Sequence, residues 1–464
     1  MVTFAKWVGI FKRQTLQEPA FCQQALSVDL VETVCAMQNH RGRRCFWTPP
    51  RVVWTFLMQV LHPGCSCREA VAMALAEQAA AEGDPGMSAD PSAYSQARMR
   101  LPAEVLHHCV REVGLRVRQA VGETYLWYGR RVWLVDGTRC HMPDTPSLQR
   151  AFGQPGGPKP GCGFPVATVA ALFCWASGAV LDVAVGPYRD SELRLWRTLW
   201  SWLCPGDVIV GDRLYCTYVD LAELVARRCD AVCRLHQRRK VDWRCGKRLG
   251  PNERLATWTR PARHQRGTNV SLRQWRRLPT TLTVRLIRGT VTCPGFRTRH
   301  LVVATTLLNE QAYPADAILA LYGDRWTVEL RLRDLKSTLG MDVLRCKSPS
   351  MVRKEIAMHL LAYNLIRQLM AAAAVEHGRD LHRLSFAGTV QRLDAVLPYL
   401  AILPGARRQG LLAMLLRWIA ADTVPLRPGR IEPRARKRRP KRYDLLNKPR
   451  KQLRKELVLR QLTP

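Results

Sequence analysis

The first quarter of the chain carries hydrophobic residues at helical spacing. Apolar positions recur three and four residues apart in 52–61 and again in 70–81, and breakers such as Pro63-Gly64 separate the runs. A further segment opens with Ser92, a residue type that caps helix N-termini. This pattern predicts a small all-helical domain over residues 1–125.

From residue 131 the period changes from helical to strand-like. The apolar run 131–135 predicts a short buried strand that ends at Asp136, and 166–185 predicts two further strands joined by a turn. A helix follows, and then a strand at 208–210 that ends in Gly211-Asp212. The order of three strands, a helix and a strand predicts a mixed α/β sheet whose strand ends carry the chemistry.

Three later helices follow from the same reasoning. Ser191-Glu192 is a start signal for the helix before the 208–210 strand. One long helix is expected from near Pro314 to Gly340, where the glycine would serve as C-cap, and an apolar helix is expected over 356–374. Further helical segments should reach about residue 421.

Charge points to the class of partner. The 464 residues include 72 Lys and Arg against 37 Asp and Glu, a net charge of +35, and Arg makes up most of the basic residues. Because Arg pairs bidentately with phosphates, nucleic acid is a better candidate than an anionic membrane surface. Hydrophobic residues make up 47% of the chain, which excludes wholesale disorder.

The positive charge is concentrated in two segments. Residues 213–300 carry a net charge of +16 with Trp243, Trp258 and Trp275 interleaved, which suits a β insertion that stacks on a nucleic-acid strand, although the tryptophans could equally be core residues. The tail carries +12 and is expected to be disordered without a polyanion. Its candidate DNA contacts are Arg436, Lys437 and Arg438.

The helix that begins near Ser92 offers another candidate DNA contact. Tyr94 and Arg98 are four residues apart and share one helix face. A DNA-contacting helix and a solvated basic helix face fit this pattern equally well. The domains expected along the chain are 1–125 (helical, DNA-binding), 126–212 (first α/β part), 213–300 (basic β insertion), 301–425 (second α/β part with C-terminal helices) and 426–464 (basic tail).

The sixteen cysteines indicate a reducing compartment rather than a secreted disulfide scaffold, because they are scattered along a long chain. Cys65-x-Cys67 is not joined by a second pair at zinc-finger spacing. The longest apolar stretch, 166–180, is too short to span a bilayer. A cytoplasmic location is therefore expected, associated with the nucleoid when DNA is bound.

Three acidic residues are distinguished by their context. Asp136 and Asp212 each end an apolar strand, where an unpaired carboxylate would be costly. Glu329 lies on the predicted 314–340 helix and shares one stripe with Tyr322, Arg325 and Lys336. Two strand-end carboxylates and one helix carboxylate can hold two divalent ions that cut a phosphodiester, and Mg²⁺ is the expected ion, with Mn²⁺ as a substitute. On spacing alone the stripe also fits a solvated helix face.

These motifs together resemble the IS4-type DDE transposases of bacterial insertion sequences. The matching motifs are Asp136-Gly-Thr138, Gly211-Asp212-Arg213 with Tyr218 six residues after the Asp, and Tyr322-x2-Arg325-x3-Glu329-x6-Lys336. The last one agrees with the family's Tyr-Arg-Glu-Lys motif in every spacing. The resemblance covers roughly residues 90–450, with a basic β insertion between the second Asp and the Glu.

The resemblance implies an RNase H-like α/β core interrupted by the insertion, with Asp136, Asp212 and Glu329 as the metal-binding triad. It implies cleavage at terminal inverted repeats of double-stranded DNA, in many relatives through a hairpin, and joining of the 3′-hydroxyl to target DNA by a homodimer. Tyr322, Arg325, Lys336 and Arg213 would contact DNA. The strand before the signature helix lacks the tryptophan that stacks a flipped base in a relative, so His300 or an insertion tryptophan is the candidate for that task.

Two other functions fit parts of the sequence. A decayed transposase or transposition repressor would keep the helical domain and the basic tail without catalysis. A nuclease of the RNase H-like group would cut but not join. The three intact acids favour an active enzyme over the first, and the insertion and signature helix favour a transposase over the second.

Overall fold

The computed structural model describes residues 26–462 with internal gaps. The gaps are 41, 43–44, 63, 84–85, 123–125, 157–160, 263, 265–269, 291–299, 401–402, 404 and 426–445. The tail candidates Arg436, Lys437 and Arg438 lie outside the described residues. No helix in the described ranges is long and apolar enough to cross a membrane.

The N-terminal part is helical, as its hydrophobic spacing predicts. Its helices are α1 (Val28–Met37), α2 (Pro49–Leu61), α3 (Cys67–Glu82), α4 (Ser92–Arg100) and α5 (Ala103–Ala120). The expectation that Ser92 caps α4 is wrong. Ser92 is the first helical residue, and its N–H donates to Asp90 Oδ1 at 2.8 Å, so Asp90 satisfies one of the free donors at this helix start.

In the described residues, ten strands form one mixed sheet. They are β1 (Leu126–Trp127), β2 (Arg130–His141), β3 (Val166–Cys174), β4 (Val180–Pro187), β5 (Val208–Gly211), β6 (Asp230–Arg234), β7 (Lys247–Gly250), β8 (Glu253–Thr259), β9 (Thr281–Thr290) and β10 (His300–Thr305). Their order is β4-β3-β2-β5-β6-β10-β9-β8-β7, with β1 paired to β2. β2 to β4 are antiparallel, and β5 and β6 run parallel to β2.

Strand β2 is longer than the apolar run predicts. It continues through Asp136 to His141 because β3 pairs with it over its whole second half, from Asp136 to His141. The other neighbour, β5, ends at Gly211. Asp136 therefore lies inside β2 but just past the C-terminal end of β5, where β2 has no strand partner on that side among the described residues.

The segment 213–300 extends the same sheet. Within it, helix α8 (Tyr218–Ala226) leads to β6, which is parallel to β5, and helix α9 (Leu272–Arg277) lies between β8 and β9. Strand β10 pairs with both β6 and β9, so β7 to β9 continue the central sheet through backbone hydrogen bonds.

The predicted 314–340 helix is divided into three parts. These are α10 (Ala315–Asp324), α11 (Trp326–Arg333) and a π-helical turn (Asp334–Thr338). Arg325 lies at the junction of α10 and α11. Gly340, with a φ of +75°, stands just past the helical end as predicted.

The remaining helices lie around the sheet or after it. In chain order, α6 (Pro146–Phe152) and α7 (Glu192–Thr198) flank β3 and β4, and α12 (Pro349–Glu376), α13 (Phe386–Leu400), α14 (Gly405–Ala421) and α15 (Arg450–Leu462) complete the chain. The prediction of a wholly disordered tail is wrong for α15. The described residues 446–449 lead directly into it.

Helix α12 joins the N-terminal helices to the sheet. Its Asn364 side chain accepts the N–H of Val180 at 2.9 Å and donates to Val110 O at 3.0 Å, so it contacts both β4 and α5. One apolar core contains residues of α1 to α5, one face of the sheet and α12. A second core, on the opposite face, lies under α7 and α8.

Candidate catalytic site

Asp136 and Asp212 lie side by side because β2 and β5 are parallel neighbours. Leu134 on β2 is level with Val210 on β5. Two residues further along the same register, Asp136 is level with Asp212. Both carboxylates thus lie where the carboxyl end of β5 leaves the sheet open, the position at which α/β sheets hold their ligands.

The environment of Asp136 opposes its negative charge. Its Oδ1 accepts the N–H of Gly137 at 2.8 Å. Burial, together with the nearby charges of Glu192 and Asp212, raises the pKa of Asp136 to about 7, although the Gly137 N–H and Arg325 act in the opposite direction. This site crowds negative charge, which favours a cation.

Asp212 closes a tight turn after β5. Its Oδ1 accepts the N–H of Leu214 at 2.7 Å, a side-chain turn that fixes the carboxylate at the strand end. Arg213 is exposed and donates to Gln237 Oε1 at 2.9 Å. Tyr218 is buried and donates its hydroxyl hydrogen to Pro279 O at 2.7 Å, so it packs α8 rather than facing the acids.

Arg325 links Glu329 to the strand-end acids. Its Nη2 donates to Glu329 Oε1 at 2.8 Å, and its Nη1 lies 3.8 Å from Asp136 Oδ2. The junction of α10 and α11 places this guanidinium between the sheet and the helix. Arg325 thus connects Glu329 with Asp136, and the strand register places Asp136 level with Asp212.

The other two residues of the signature stripe differ in exposure. Tyr322 is only 9% exposed and belongs to the apolar core, and burial raises the pKa of its hydroxyl to about 12. Lys336 is half-buried in the π-helical turn, close enough to Cys140 on β2 that its charge lowers the pKa of that thiol against the larger effect of burial. Of Tyr322, Arg325 and Lys336, only Arg325 and Lys336 therefore have polar groups that face solvent.

Glu192 is a fourth carboxylate that the sequence pattern assigned only to a helix start. It begins α7, and its Oε1 accepts the hydroxyl hydrogen of Tyr215 at 2.5 Å. Burial and the charge of Asp212 raise the pKa of Glu192. The sequence signal that could have found it is Gly137, which follows Asp136 and leaves room for a side chain from another element.

Aromatic candidates for base stacking are not equally available. Trp258 and Trp275 are buried, which agrees with the interpretation that they are core residues. Trp243 is partly exposed, and the guanidinium of Arg288 lies over it, 4.3 Å from the ring centre. His300 is exposed at the start of β10. Trp326, which sequence reasoning missed, is 48% exposed on α11 beside Arg325.

The candidate contacts on α4 are structural. Tyr94 is fully buried, and its hydroxyl donates to Gln59 Oε1 at 3.2 Å. Arg98 donates to the same oxygen at 2.5 Å and lies over the ring of Phe56, 4.5 Å from its centre. The prediction that Tyr94 contacts DNA is wrong, because the side chain packs inside the helical domain, and Arg98 is directed toward α2.

The candidate metal ligands at this site are all carboxylates. Among the described residues, no three His, Cys, Asp or Glu side chains stand close enough to hold a metal ion as they are placed. The donor set at the sheet edge nevertheless fits a hard divalent cation, because every donor is a carboxylate oxygen. Arg325 supplies the positive charge between Asp136 and Glu329.

Known proteins resemble this chain in sequence. Residues 127–365, just over half of the chain, match the family described as "Transposase DDE domain". The chain is similar to the transposase InsG for insertion sequence element IS4 of Escherichia coli (strain K12), with 28% identity over 76% of this chain and 78% of that protein. It is also similar to the putative transposase InsZ of the same organism, with 27% identity over 32% of this chain and 51% of that protein.

A solved structure also resembles the chain. It is a piggyBac transposase synaptic complex with hairpin DNA, with 10% identity and a TM-score of 0.37 over 90% of this chain and 82% of that one. This likeness is too weak to carry an argument.

Proposed function

Since the chain belongs to the IS4 family of DDE transposases, we propose that it cuts double-stranded DNA at the inverted repeats of its own mobile element and joins the freed 3′-hydroxyl to target DNA. The observation that carries the proposal is the meeting of Asp136, Asp212 and Glu329 at one sheet edge. Two lie level on parallel strands, and Arg325 connects the third to them.

The core of this proposal is a divalent-metal site with Asp136, Asp212 and Glu329 as its acids. Bound Mg²⁺, or Mn²⁺ in its place, would activate a water or a 3′-hydroxyl and stabilise the leaving oxygen of the phosphodiester. The protein's part is to fix the carboxylates. Asp136 is held by the Gly137 N–H and Asp212 by the Leu214 N–H, so neither turns away when DNA arrives.

Basic residues around the acids would hold the DNA backbone. Arg325, Lys336 and Arg213 present their charges beside the sheet edge, and Arg and Lys neutralise phosphates. Tyr322 was a fourth candidate, but its burial favours a packing role beneath Arg325. These contacts would offset the repulsion between DNA and the acidic centre.

The strand order supports an RNase H-like core. Three antiparallel strands, β2 to β4, are followed by β5 and β6, which are parallel to β2 on its other side. In this scheme β7 to β9 form the β-rich insertion. A basic tail after residue 425 completes the proposed organisation.

A hairpin route is the finer form of the proposal. It requires an aromatic surface near the acids on which an unpaired base can stack. Trp326 is the exposed aromatic residue nearest in sequence to Glu329 and Arg325, which makes it a better candidate than His300 or the buried insertion tryptophans. Cut-and-paste transposition would then proceed through a homodimer that holds both element ends in the cytoplasm, at the nucleoid.

The alternative is a DNA-binding repressor without catalysis. A triad with one acid turned away or paired permanently would favour it. Here Asp136 lies level with Asp212 on parallel strands, and the charge of Asp136 is opposed by its surroundings rather than satisfied, so the active enzyme is the better supported function.

Strand cleavage tests the proposal directly. The purified chain is incubated with Mg²⁺ and a labelled duplex that contains the inverted repeat flanking its coding sequence. Asp136→Asn and Asp212→Asn should each lower cleavage by roughly a thousandfold or more, the scale at which essential catalytic groups act. A wild-type chain that binds this duplex but neither cuts nor joins it would favour the repressor, and one that cuts without joining would favour a nuclease.

A further inference from the structure

Glu192 fills a space that the motif glycine Gly137 leaves open. A β-carbon built on Gly137 would lie 2.1 Å from Glu192 Cδ and 2.4 Å from both of its carboxylate oxygens. No side chain could stand at position 137 without moving Glu192. The glycine that follows Asp136 therefore permits the carboxylate of α7 to approach the backbone of β2.

Tyr215 holds that carboxylate in place. Its ring is only 2% exposed, and its hydroxyl donates to Glu192 Oε1 at 2.5 Å. A β-carbon on Gly211 would lie 2.9 Å from Tyr215 Cβ, so the glycine before Asp212 makes room for the tyrosine. Both acid motifs thus contain a glycine that accommodates one member of the Glu192–Tyr215 pair.

The position of Glu192 is not explained by an ion pair among the described residues. Within the described part of the chain it forms no ion pair, and Asp136 and Asp212 interact with its charge unfavourably, although the charge of Arg139 and the Gly137 N–H favour it. A glutamate that only starts a helix could extend into solvent. Here a buried hydrogen bond directs it toward two other carboxylates.

We infer that Glu192 is a fourth acidic ligand for the divalent ions of this centre, and that Tyr215 is the residue that positions it. The inference rests on the proposed function and deepens it. Two divalent ions carry four positive charges, which the carboxylates of Asp136, Asp212, Glu329 and Glu192 together balance. Glu192 would thus share the ion held by Asp136 and Asp212.

Metal binding measured without DNA tests this role. Mn²⁺ is titrated into the full-length chain, and free Mn²⁺ is followed by electron paramagnetic resonance. Glu192→Gln, which keeps the shape and the acceptor for Tyr215, should weaken Mn²⁺ binding about 10- to 100-fold, the range seen when groups around a metal are lost. Tyr215→Phe and Gly137→Ala should weaken it less, because they displace the carboxylate without removing it.

Glu310→Gln is the matched control. It removes the same charge from an exposed residue in the loop after β10, at the opposite end of the sheet from Asp212, and should leave Mn²⁺ binding unchanged. Thermal unfolding without metal separates binding from folding. Glu192→Gln should be at least as stable as the wild type there, since one of three mutually repelling charges is gone.

The outcomes distinguish this inference from the proposed function. If Glu192→Gln binds Mn²⁺ as the wild type does, or if the wild type binds none, the inference is overturned. If the wild type cuts the inverted-repeat duplex and Glu192→Gln cuts it at the same half-saturating Mg²⁺ concentration, the inference is again overturned while the transposase function stands. A wild type that binds Mn²⁺ in a Glu192-dependent way but never cuts DNA would contradict only the proposed function.

Discussion

Arg325 is the residue whose charge contacts two of the three acids. It donates to Glu329 at 2.8 Å and lies 3.8 Å from Asp136. A cation in this place reduces the repulsion between carboxylates that have no metal, and it competes with a metal for the same oxygens. The same guanidinium can pair with a DNA phosphate.

Replacing Arg325 should therefore separate metal binding from DNA cleavage. Arg325→Gln removes the competing cation, so Mn²⁺ binding to the chain without DNA should tighten about threefold to tenfold, while strand cleavage should fall roughly a hundredfold because a phosphate contact is lost. Calorimetric Mn²⁺ titration and the cleavage assay measure the two effects. Arg333→Gln removes the same charge from an exposed position on α11 and should change neither by as much.

Asp334 should make stability depend on pH. Burial raises its pKa to about 6, although Arg333 and other arginines oppose the shift. The folded chain thus keeps a proton that the unfolded chain loses at lower pH. The stabilisation that comes from this proton is present below about pH 4, is lost as the pH rises through 6, and is absent above.

The variant Asp334→Asn should consequently be more stable than the wild type at pH 8, by roughly 1–2 kcal/mol, and no more stable at pH 4. Urea unfolding at the two pH values measures the difference. A gain of equal size at both would show that the charge of Asp334 is not its source.

The sequence predicts some of these residues and not others for a physical reason. Asp136 and Asp212 can be identified from a few residues of sequence, because an acid at the end of an apolar run is unusual. Glu192 and Arg325 owe their roles to contacts between distant segments. The Gly137 that accommodates Glu192 is separated from it by two complete strands.

Among the elements, the turn between β3 and β4 fixes the hairpin to α12. Gly178 has a φ of +72°, and its carbonyl accepts the hydroxyl hydrogen of Tyr363 at 2.9 Å. A β-carbon there would lie 2.6 Å from Nη2 of Arg367, whose Nε donates to Ser177 O at 3.0 Å. The turn thus needs a glycine for both its backbone and its contact with α12.

Gly178→Ala should destabilise the chain by about 1–3 kcal/mol, since a left-handed backbone position is strained for alanine and the guanidinium must move. Gly410→Ala is the control. Gly410 lies within α14 with open space around its α-carbon, so alanine there should be neutral or stabilising by up to about 1 kcal/mol. Chemical denaturation of both variants makes the comparison, and equal effects would contradict the account.

Helix boundaries show where periodicity stops being informative. The 314–340 pattern is apolar at helical spacing throughout, so it predicts one helix. The break at Arg325 and the π-helical turn at 334–338 arise where the helix meets the sheet edge and α12, and no proline marks either position. The break matters because it places Arg325 between the acids.

In the whole molecule, most of the net positive charge belongs to two segments of the chain. Of the net charge of +35, residues 213–300 carry +16 and residues 427–464 carry +12. Part of the insertion's charge is structural, because Arg285 is fully buried and paired with Glu253. Exposed residues also contribute, among them Arg238, Lys240, Lys247, Arg248, Arg273 and Arg276.

Deleting residues 426–464 should weaken DNA binding and reduce its salt dependence, because phosphate contacts govern affinity and its salt slope. The rate of single-turnover cleavage at saturating DNA should change by less than about threefold. Binding isotherms at several salt concentrations measure the slope. An affinity that the deletion leaves unchanged across that range would contradict this division of roles.

The domain pattern was predictable only in part at this scale. Hydrophobic spacing predicts the helical N-terminal part, but not that its helices share a core with the sheet through α12. Charge predicts a basic insertion, but strand pairing decides that β7 to β9 continue the central sheet. Such pairing joins residues far apart in the chain, which local patterns do not encode.

That continuity fixes the distance between the acidic centre and the insertion. Between β5, which ends beside Asp212, and β8 in the insertion there are four strand spacings, or about 19 Å. This length corresponds to the rise of roughly six base pairs along one DNA strand. Because unbroken backbone pairing fixes this offset, the number of intervening strands sets the distance between β8 and the acids.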